Sequence, residues 1–136
     1  MAEKAFELIS IQPYEDRRGS LKKIIMKSQL REVPEIEEVY LLYSEKGSVR
    51  GNHYHKQTLE YFTVVSGQAK IALLDLASGA YEELVVSSDH HVVIKVPPNV
   101  AHAFKNEEDL PVILLAVSSK QYDRQDPDTY PMEIME

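Results

Sequence analysis

The sequence predicts an all-β protein whose strands close into one small barrel. A chain of 136 residues suffices for a single domain with a real hydrophobic core. Short apolar runs recur along it, and turn signals rich in Gly, Pro, Asp and Asn separate them. No stretch shows the periodicity of a helix of normal length. We therefore expect a barrel or double-sheet jelly roll, because closure protects the strand edges.

The N-terminal third of the chain predicts three strands. We place them at residues 6–11, 21–26 and 39–43, with a turn at 15–20 between the first two. The third reads Val-Tyr-Leu-Leu-Tyr, which predicts a buried strand. Residues 28–34 are expected to be irregular, with one helical turn.

The remaining strands are separated by tight turns at Gly67 and Gly79 and by a Pro97-Pro98 stop. A Pro-containing tail follows at 121–136, so the whole chain, 1–136, reads as one domain with N-terminal strands within 1–30. These later strands are predicted around 53–55 and at 60–65, 69–76, 81–86, 92–96, 102–106 and 112–117.

Composition excludes several classes of protein. There is no cysteine, so neither a disulfide framework nor a thiolate site is available. The net charge of -7 argues against non-specific nucleic-acid binding. No window has the length of a membrane span, and no signal peptide is evident at the N-terminus. We expect a cytoplasmic protein that binds neither nucleic acid nor membrane.

A stretch around His53 and His55 carries the chemistry. Side chains alternate along a strand, so these two histidines point the same way while Tyr54 points the other. Glu60 adds a carboxylate on the next strand, where it shares a face with Phe62. Imidazole and carboxylate together suit zinc, iron, manganese, nickel or copper.

These residues form a motif that resembles the first cupin motif. Five residues separate Gly47 from His53, four separate His55 from Glu60, and six separate Glu60 from Gly67. This spacing matches the cupin pattern at every position. The resemblance implies a cupin-type double-stranded β-helix.

The stretch from Pro97 to Asn106 resembles the second cupin motif. It has His102 and Asn106 at the motif's positions, and it departs from the pattern at two glycines. His91 stands where the motif opens with Gly, and Asn99 stands at the Gly of its turn. Asn tolerates a left-handed backbone better than most residues, so we expect the turn to form.

Together the motifs imply that His53, His55, Glu60 and His102 hold one divalent metal ion, either zinc, iron, manganese or nickel. Such a ligand set leaves coordination positions open for water or substrate.

A narrower resemblance, spread over most of the chain, concerns the substrate. The chain is similar to cupins of polysaccharide biosynthesis, which include the C-terminal barrel of capsular-sugar epimerase/reductases and the 3,4-ketoisomerases of dTDP-4-keto-6-deoxy sugars. The ketoisomerases usually carry Gln at the position of Glu60 and need no metal, so Glu60 favours the metal-binding type. The resemblance rests on Asp16-Arg-Arg-Gly-Ser-Leu21, Arg50-Gly-Asn-His-Tyr-His55, the turn at Pro97, and Tyr122-Asp-Arg-Gln-Asp-Pro-Asp-Thr-Tyr130.

The implied reaction is proton abstraction next to the carbonyl of a nucleotide-linked 4-keto sugar, which gives an epimer or an isomerised ketone. If His53 and His55 bind a metal, a tyrosine such as Tyr43, a lysine or a metal-bound hydroxide must move the proton. Without a metal, His53 becomes the base. Tyr43 is also suited to be a core aromatic residue.

For substrate binding the sequence offers Arg50 and Lys56 as partners of the diphosphate, and Phe104 as a wall of the cavity. The resemblance also implies a homodimer. Two other functions stay open at this point. One is a metal-dependent cupin dioxygenase, and the other is a sugar-nucleotide-binding module without turnover.

Overall fold

The computed structural model describes residues 4–29 and 35–136. Within them it confirms the all-β prediction, since the regular elements are β-strands and two single 3-10 turns, Lys27–Gln29 and Ser88–His90. The strands are β1 Glu7–Ser10, β2 Tyr14–Asp16, β3 Gly19–Leu21, β4 Glu38–Ser44, β5 Val49–Tyr54, β6 Glu60–Ser66, β7 Gln68–Asp75, β8 Tyr81–Ser87, β9 Val92–Val96, β10 Val100–Lys105, β11 Val112–Ser118 and β12 Tyr130–Pro131.

Two five-stranded antiparallel sheets form the barrel, as the predicted cupin-type double-stranded β-helix requires. The first sheet has the order β1-β9-β6-β11-β4, and the second has the order β12-β5-β10-β7-β8. Strands β2 and β3 form a separate hairpin. Consecutive strands such as β4 and β5 therefore lie in different sheets, which brings distant parts of the sequence to one end of the barrel.

The core lies between the two sheets and follows the alternation of side chains. Glu60, Phe62 and Val64 of β6 all point into it, as predicted. The main buried cluster is purely apolar and includes Phe6, Phe62, Val64, Ile71, Leu73, Ile94, Val96, Val100, Phe104 and Leu114.

Two strand predictions were wrong in part. The strand expected at 21–26 stops at Leu21, because Ile24 and Ile25 instead cover the outer face of the first sheet beside Tyr61 and Val117. The strand at 39–43 exists as part of β4 but is only half-buried. Its inner residues pack in the core, while its outer residues, Val39, Leu41 and Tyr43, are 59%, 50% and 57% exposed.

The tail contributes a strand that the sequence did not predict. Tyr130 and Pro131 of β12 pair with Tyr54 and His53 at the edge of the second sheet. Residues 30–34, where most of the irregular segment was expected, lie outside the described residues. In the part of the chain that the structure describes, no helix is long and apolar enough to cross a bilayer.

Candidate functional site

A cavity of about 390 Å³ opens at the end of the barrel where β4, β5 and β6 meet the tail. Its floor carries His53, His55 and Glu60. Its walls come from β4, from the loop before β6, and from the segment after β11. These wall residues are Glu38, Tyr40, Thr58, Ser118, Lys120, Gln121, Tyr122, Asp126, Pro127 and Thr129.

The pairing of β5 with β10 places two of the histidines opposite each other. His53 is in register with His102, and the register shifts just beyond this pair. The shift requires glycine at Gly51, where φ is 89° and an added Cβ would lie 2.7 Å from the carbonyl oxygen of His102. Only glycine allows the two backbones to approach so closely.

The three histidines converge as the motifs predict. The ring centroids of His53 and His55 are 5.1 Å apart, and that of His102 lies 4.8 Å from His53 and 5.3 Å from His55. One ring nitrogen of each lies within 4.8 Å of the others. Tyr54 points away from this group and stacks on Tyr130. The two-residue alternation therefore holds across the strand.

Backbone carbonyls fix the orientation of two of these rings. Nδ1 of His55 lies 2.7 Å from the carbonyl oxygen of Asp128, and Nδ1 of His102 lies 3.1 Å from that of Val100. Because a carbonyl only accepts hydrogen bonds, Nδ1 carries a proton in both rings, and Nε2 of His55 carries a second proton whenever it donates to Glu60. Their Nε2 atoms are thus directed at the centre of the group.

Glu60 lies beside the histidines and joins them to a tyrosine. Its Oε1 is 2.9 Å from Nε2 of His55 and 3.8 Å from Nε2 of His102. Tyr40 donates its hydroxyl hydrogen to Oε2 of Glu60 over 2.8 Å. Both oxygens of this buried carboxylate are therefore engaged within the site.

The buried surroundings shift the pKa of every titratable group in this cluster. Burial lowers the pKa of His102 to about 4 and, with the charge of His55, also lowers the pKa of His53. Burial alone would lower the pKa of His55 as well, but the hydrogen bond and charge of Glu60 raise it. Burial alone would raise the pKa of Glu60, but the hydrogen bonds from His55 and Tyr40 and the charges of His102 and His55 together lower it. Burial and the charge of Glu60 raise the pKa of Tyr40.

A divalent metal ion fits this arrangement of donors. Nε2 of His102 is buried without a hydrogen-bond partner, which is costly unless something else engages it. Ligand atoms of a tetrahedral zinc site lie about 3.3 Å apart, and the two contacts of Glu60 bracket that spacing. His53, His55, His102 and Glu60 are thus the residues that could hold an ion.

Other predicted site residues lie elsewhere. Tyr43 projects from the outer face of β4 and does not line the cavity, so the structure does not bring this predicted catalytic residue to the site. Phe104 is only 2% exposed in the apolar core and does not line the cavity either. Arg50 and Lys56 are exposed and do not line the cavity, and Nζ of Lys56 lies 4.2 Å from the ring centroid of Tyr130.

Sequence reasoning missed Tyr40 and the tail. Tyr40 lies three residues before Tyr43 on the same strand and faces the interior. The strand's alternation offered two tyrosines on opposite faces, and only the sheet register shows which one meets Glu60. The tail carries part of the resemblance to cupins of polysaccharide biosynthesis, but the sequence alone gives no role to Asp128.

The sequence matches the family described as the polysaccharide biosynthesis C-terminal domain over residues 14–130. The chain belongs to this family. The match covers most of the chain, including both histidine-bearing strands and most of the tail. Membership confirms the polysaccharide-biosynthesis cupin resemblance found in the sequence.

Two curated relatives also point to sugar-nucleotide modification. One is a UDP-2-acetamido-2,6-beta-L-arabino-hexul-4-ose reductase of Pseudomonas aeruginosa, 27% identical over 66% of this chain but only 24% of the reductase. This chain thus spans about a quarter of that relative. The other is Agl13 of Haloferax volcanii, named as a probable low-salt glycan biosynthesis epimerase, 25% identical over 90% of this chain and 82% of Agl13. Of the two, Agl13 is named as an epimerase and the other relative as a reductase.

Among solved structures, NovW of Streptomyces spheroides superposes with a TM-score of 0.79. The superposition covers 92% of this chain and 68% of NovW, at 20% identity. At that identity the likeness establishes the fold alone. It confirms the predicted barrel independently of the sequence motifs.

Proposed function

We propose that this protein is a metal-dependent epimerase or isomerase of a nucleotide-linked 4-keto sugar in polysaccharide biosynthesis. The observation that carries the proposal is the group of His53, His55 and His102, which lies beside Glu60 and reaches the cavity through His53, His55 and Glu60. The family and its named relatives support the proposed substrate class.

The size of the cavity suits one sugar ring. About 390 Å³ lies at the small end of the range for ligand sites. A nucleoside diphosphate attached to that sugar must therefore extend past the mouth. Lys120 lies there and is the only lysine or arginine among the described residues that line the cavity. Its Nζ is held 3.0 Å from the side-chain oxygen of Gln57, and we assign it to the diphosphate.

The metal, when bound, stabilises the negative charge that develops on the sugar's carbonyl oxygen. The protein's own residues orient the ring and move the proton. Tyr40 faces the cavity with its hydroxyl on Glu60, and its raised pKa keeps it protonated at neutral pH. We therefore assign Tyr40 as the proton donor to the carbon that is reprotonated.

Solvent-proton exchange tests this function. The protein is incubated with UDP- or dTDP-linked 4-keto sugars in D₂O, and deuterium next to the carbonyl is followed by NMR. We expect exchange that chelation abolishes and a divalent metal restores. Saturable binding without exchange across several such sugars would instead select a binding module, and dioxygen consumption with a diol or dione would select an oxygenase.

Metal analysis completes the test. Protein purified without a histidine tag should contain about one divalent ion per chain if the three histidines and Glu60 bind it. Exchange in protein that holds only trace metal would reject the metal and leave His53 as the base. The predicted homodimer stays a proposal that sedimentation velocity would check.

A further inference from the structure

We propose that Asp128 is a positioning residue for His55, which it holds through its backbone carbonyl while its carboxylate fixes the loop between β5 and β6. The inference rests on the proposed function in one respect, which is that His55 is treated as a metal ligand. Asp128 lies in the tail, 73 residues from His55 in sequence. It does not line the cavity itself.

The carboxylate of Asp128 accepts hydrogen bonds from the consecutive residues of the loop that follows His55. Asp128 is 6% exposed, and its φ of 48° turns the tail into the barrel at this point. Its two oxygens accept four hydrogen bonds, from N of Lys56 at 2.9 Å, N of Gln57 at 2.9 Å, N of Thr58 at 3.0 Å and Oγ1 of Thr58 at 2.8 Å.

This loop joins the two strands that carry the ligands. His55 follows the end of β5, and Glu60 opens β6. Fixing the residues between them sets the distance from one to the other. The same residue's carbonyl lies 2.7 Å from Nδ1 of His55, so that Nε2 of the ring is aimed at Glu60. Partners of this kind orient ligating histidines and fix their tautomer.

The rest of the tail is anchored independently of Asp128. Asn52 donates to the carbonyl oxygen of Met135 and accepts from the backbone N–H groups of Ile134 and Met135. A change at Asp128 should therefore loosen the loop around His55 without releasing the tail as a whole.

The chain offers a matched control in Asp75. This carboxylate is 3% exposed and also organises a turn, by accepting hydrogen bonds from N of Ala5, N of Ala77 and Oγ of Ser78. It is the last residue of β7, does not line the cavity and touches none of the histidines; its strand partner Val100 faces Nδ1 of His102, not that of His55. Asp75 and Asp128 thus share burial and hydrogen bonding but differ in their link to His55.

Asp128→Asn and Asp75→Asn test the assignment. An amide keeps the size but replaces one acceptor oxygen with an NH₂ group, which would face backbone N–H donors. We expect both variants to lose stability. Only Asp128→Asn should weaken zinc binding, by roughly 10- to 100-fold in competition with a chelating dye.

The imidazole signals of His55 give a second readout that needs no activity. In long-range ¹H–¹⁵N spectra the wild type should show a protected Nδ1–H on His55, with or without zinc. Asp128→Asn should lose that protection, and Asp75→Asn should keep it. Equal zinc affinity and equal His55 spectra in the two variants would overturn the proposal.

Thr58→Val serves if Asp128→Asn fails to fold. It removes one of the four hydrogen bonds at constant size. We expect a smaller loss of zinc affinity in the same direction, and no loss would contradict the assignment. The wild type's proton exchange decides the proposed function separately, so either idea can fail while the other stands.

Discussion

The interior of the barrel has two halves with opposite character. At the end that opens to the cavity it holds three histidines, Glu60 and Tyr40, whereas the remainder is packed with apolar residues such as Ile71, Leu73 and Leu114. The apolar half gains stability from burial. The polar half keeps Nε2 of His102 buried without a partner, which costs stability. The difference indicates that stability alone does not account for the polar end.

The largest effect on the polar half should come from replacing one of the proposed metal ligands. Loss of a residue that only orients a ligand lowers metal affinity by up to roughly 100-fold. We expect His102→Gln to lower zinc affinity by more than this and to abolish proton exchange. The side chain is fully buried, so no other group can take its place. Metal titration and the exchange assay measure the two effects. Wild-type affinity in the variant would show that His102 is not a ligand.

Tyr40→Phe should remove chemistry at a smaller cost in metal binding. Loss of a general acid lowers kcat at saturating zinc by roughly 100- to 10,000-fold, whereas loss of the hydrogen bond to Glu60 should weaken zinc binding by no more than roughly 10- to 100-fold. Tyr43→Phe is the matched control, because Tyr43 lies on the same strand but points outward. Equal rates in the two variants would contradict the role of Tyr40.

Ile71→Ala should affect the apolar half alone. The side chain is fully buried, and its truncation should cost about 2–5 kcal/mol of the free energy of unfolding. Urea denaturation measures this loss, and metal titration should give the wild-type stoichiometry. A variant that loses metal at native stability would mean that the two halves are coupled.

Acid should destabilise the metal-free protein through the polar half. Because the pKa of His102 falls from 6.5 to about 4 on folding, the unfolded chain binds more protons between these pH values. His102 should therefore contribute a decline in stability of roughly 3 kcal/mol as the pH falls through this window. The lowered pKa of His53 acts in the same direction, whereas the raised pKa of His55 acts in the opposite one. Urea denaturation of chelator-treated protein at several pH values checks the slope, which His102→Gln should flatten.

Local patterns made the cluster of histidines predictable. His53 and His55 are separated by one residue, and alternation alone brings them to one face. The left-handed turn at Asn99, with a φ of 65°, was likewise accessible from the residue type. Such features depend on a few neighbouring residues, which is why the sequence reveals them.

Features set by long-range contacts were not predictable. Tyr40 reaches Glu60 only because β11 lies between β4 and β6 in the sheet. The apolar run at Ile24 and Ile25 looked like a strand, yet it covers the outer face of the first sheet. Most strands of that sheet come later in the sequence. Asp128 has no local sign of its role, since its partners lie about 70 residues earlier.

The dependence of His55 on Asp128 has a consequence for biosynthesis. The ribosome makes all the strands from β1 to β11 before it reaches the tail. At roughly 5–20 residues per second, the 70 residues between Thr58 and Asp128 take several seconds to appear. During that interval His53 and His55 already exist in the nascent chain, but His55 lacks its carbonyl partner. Full orientation of His55 therefore waits for a segment that is translated after the barrel strands.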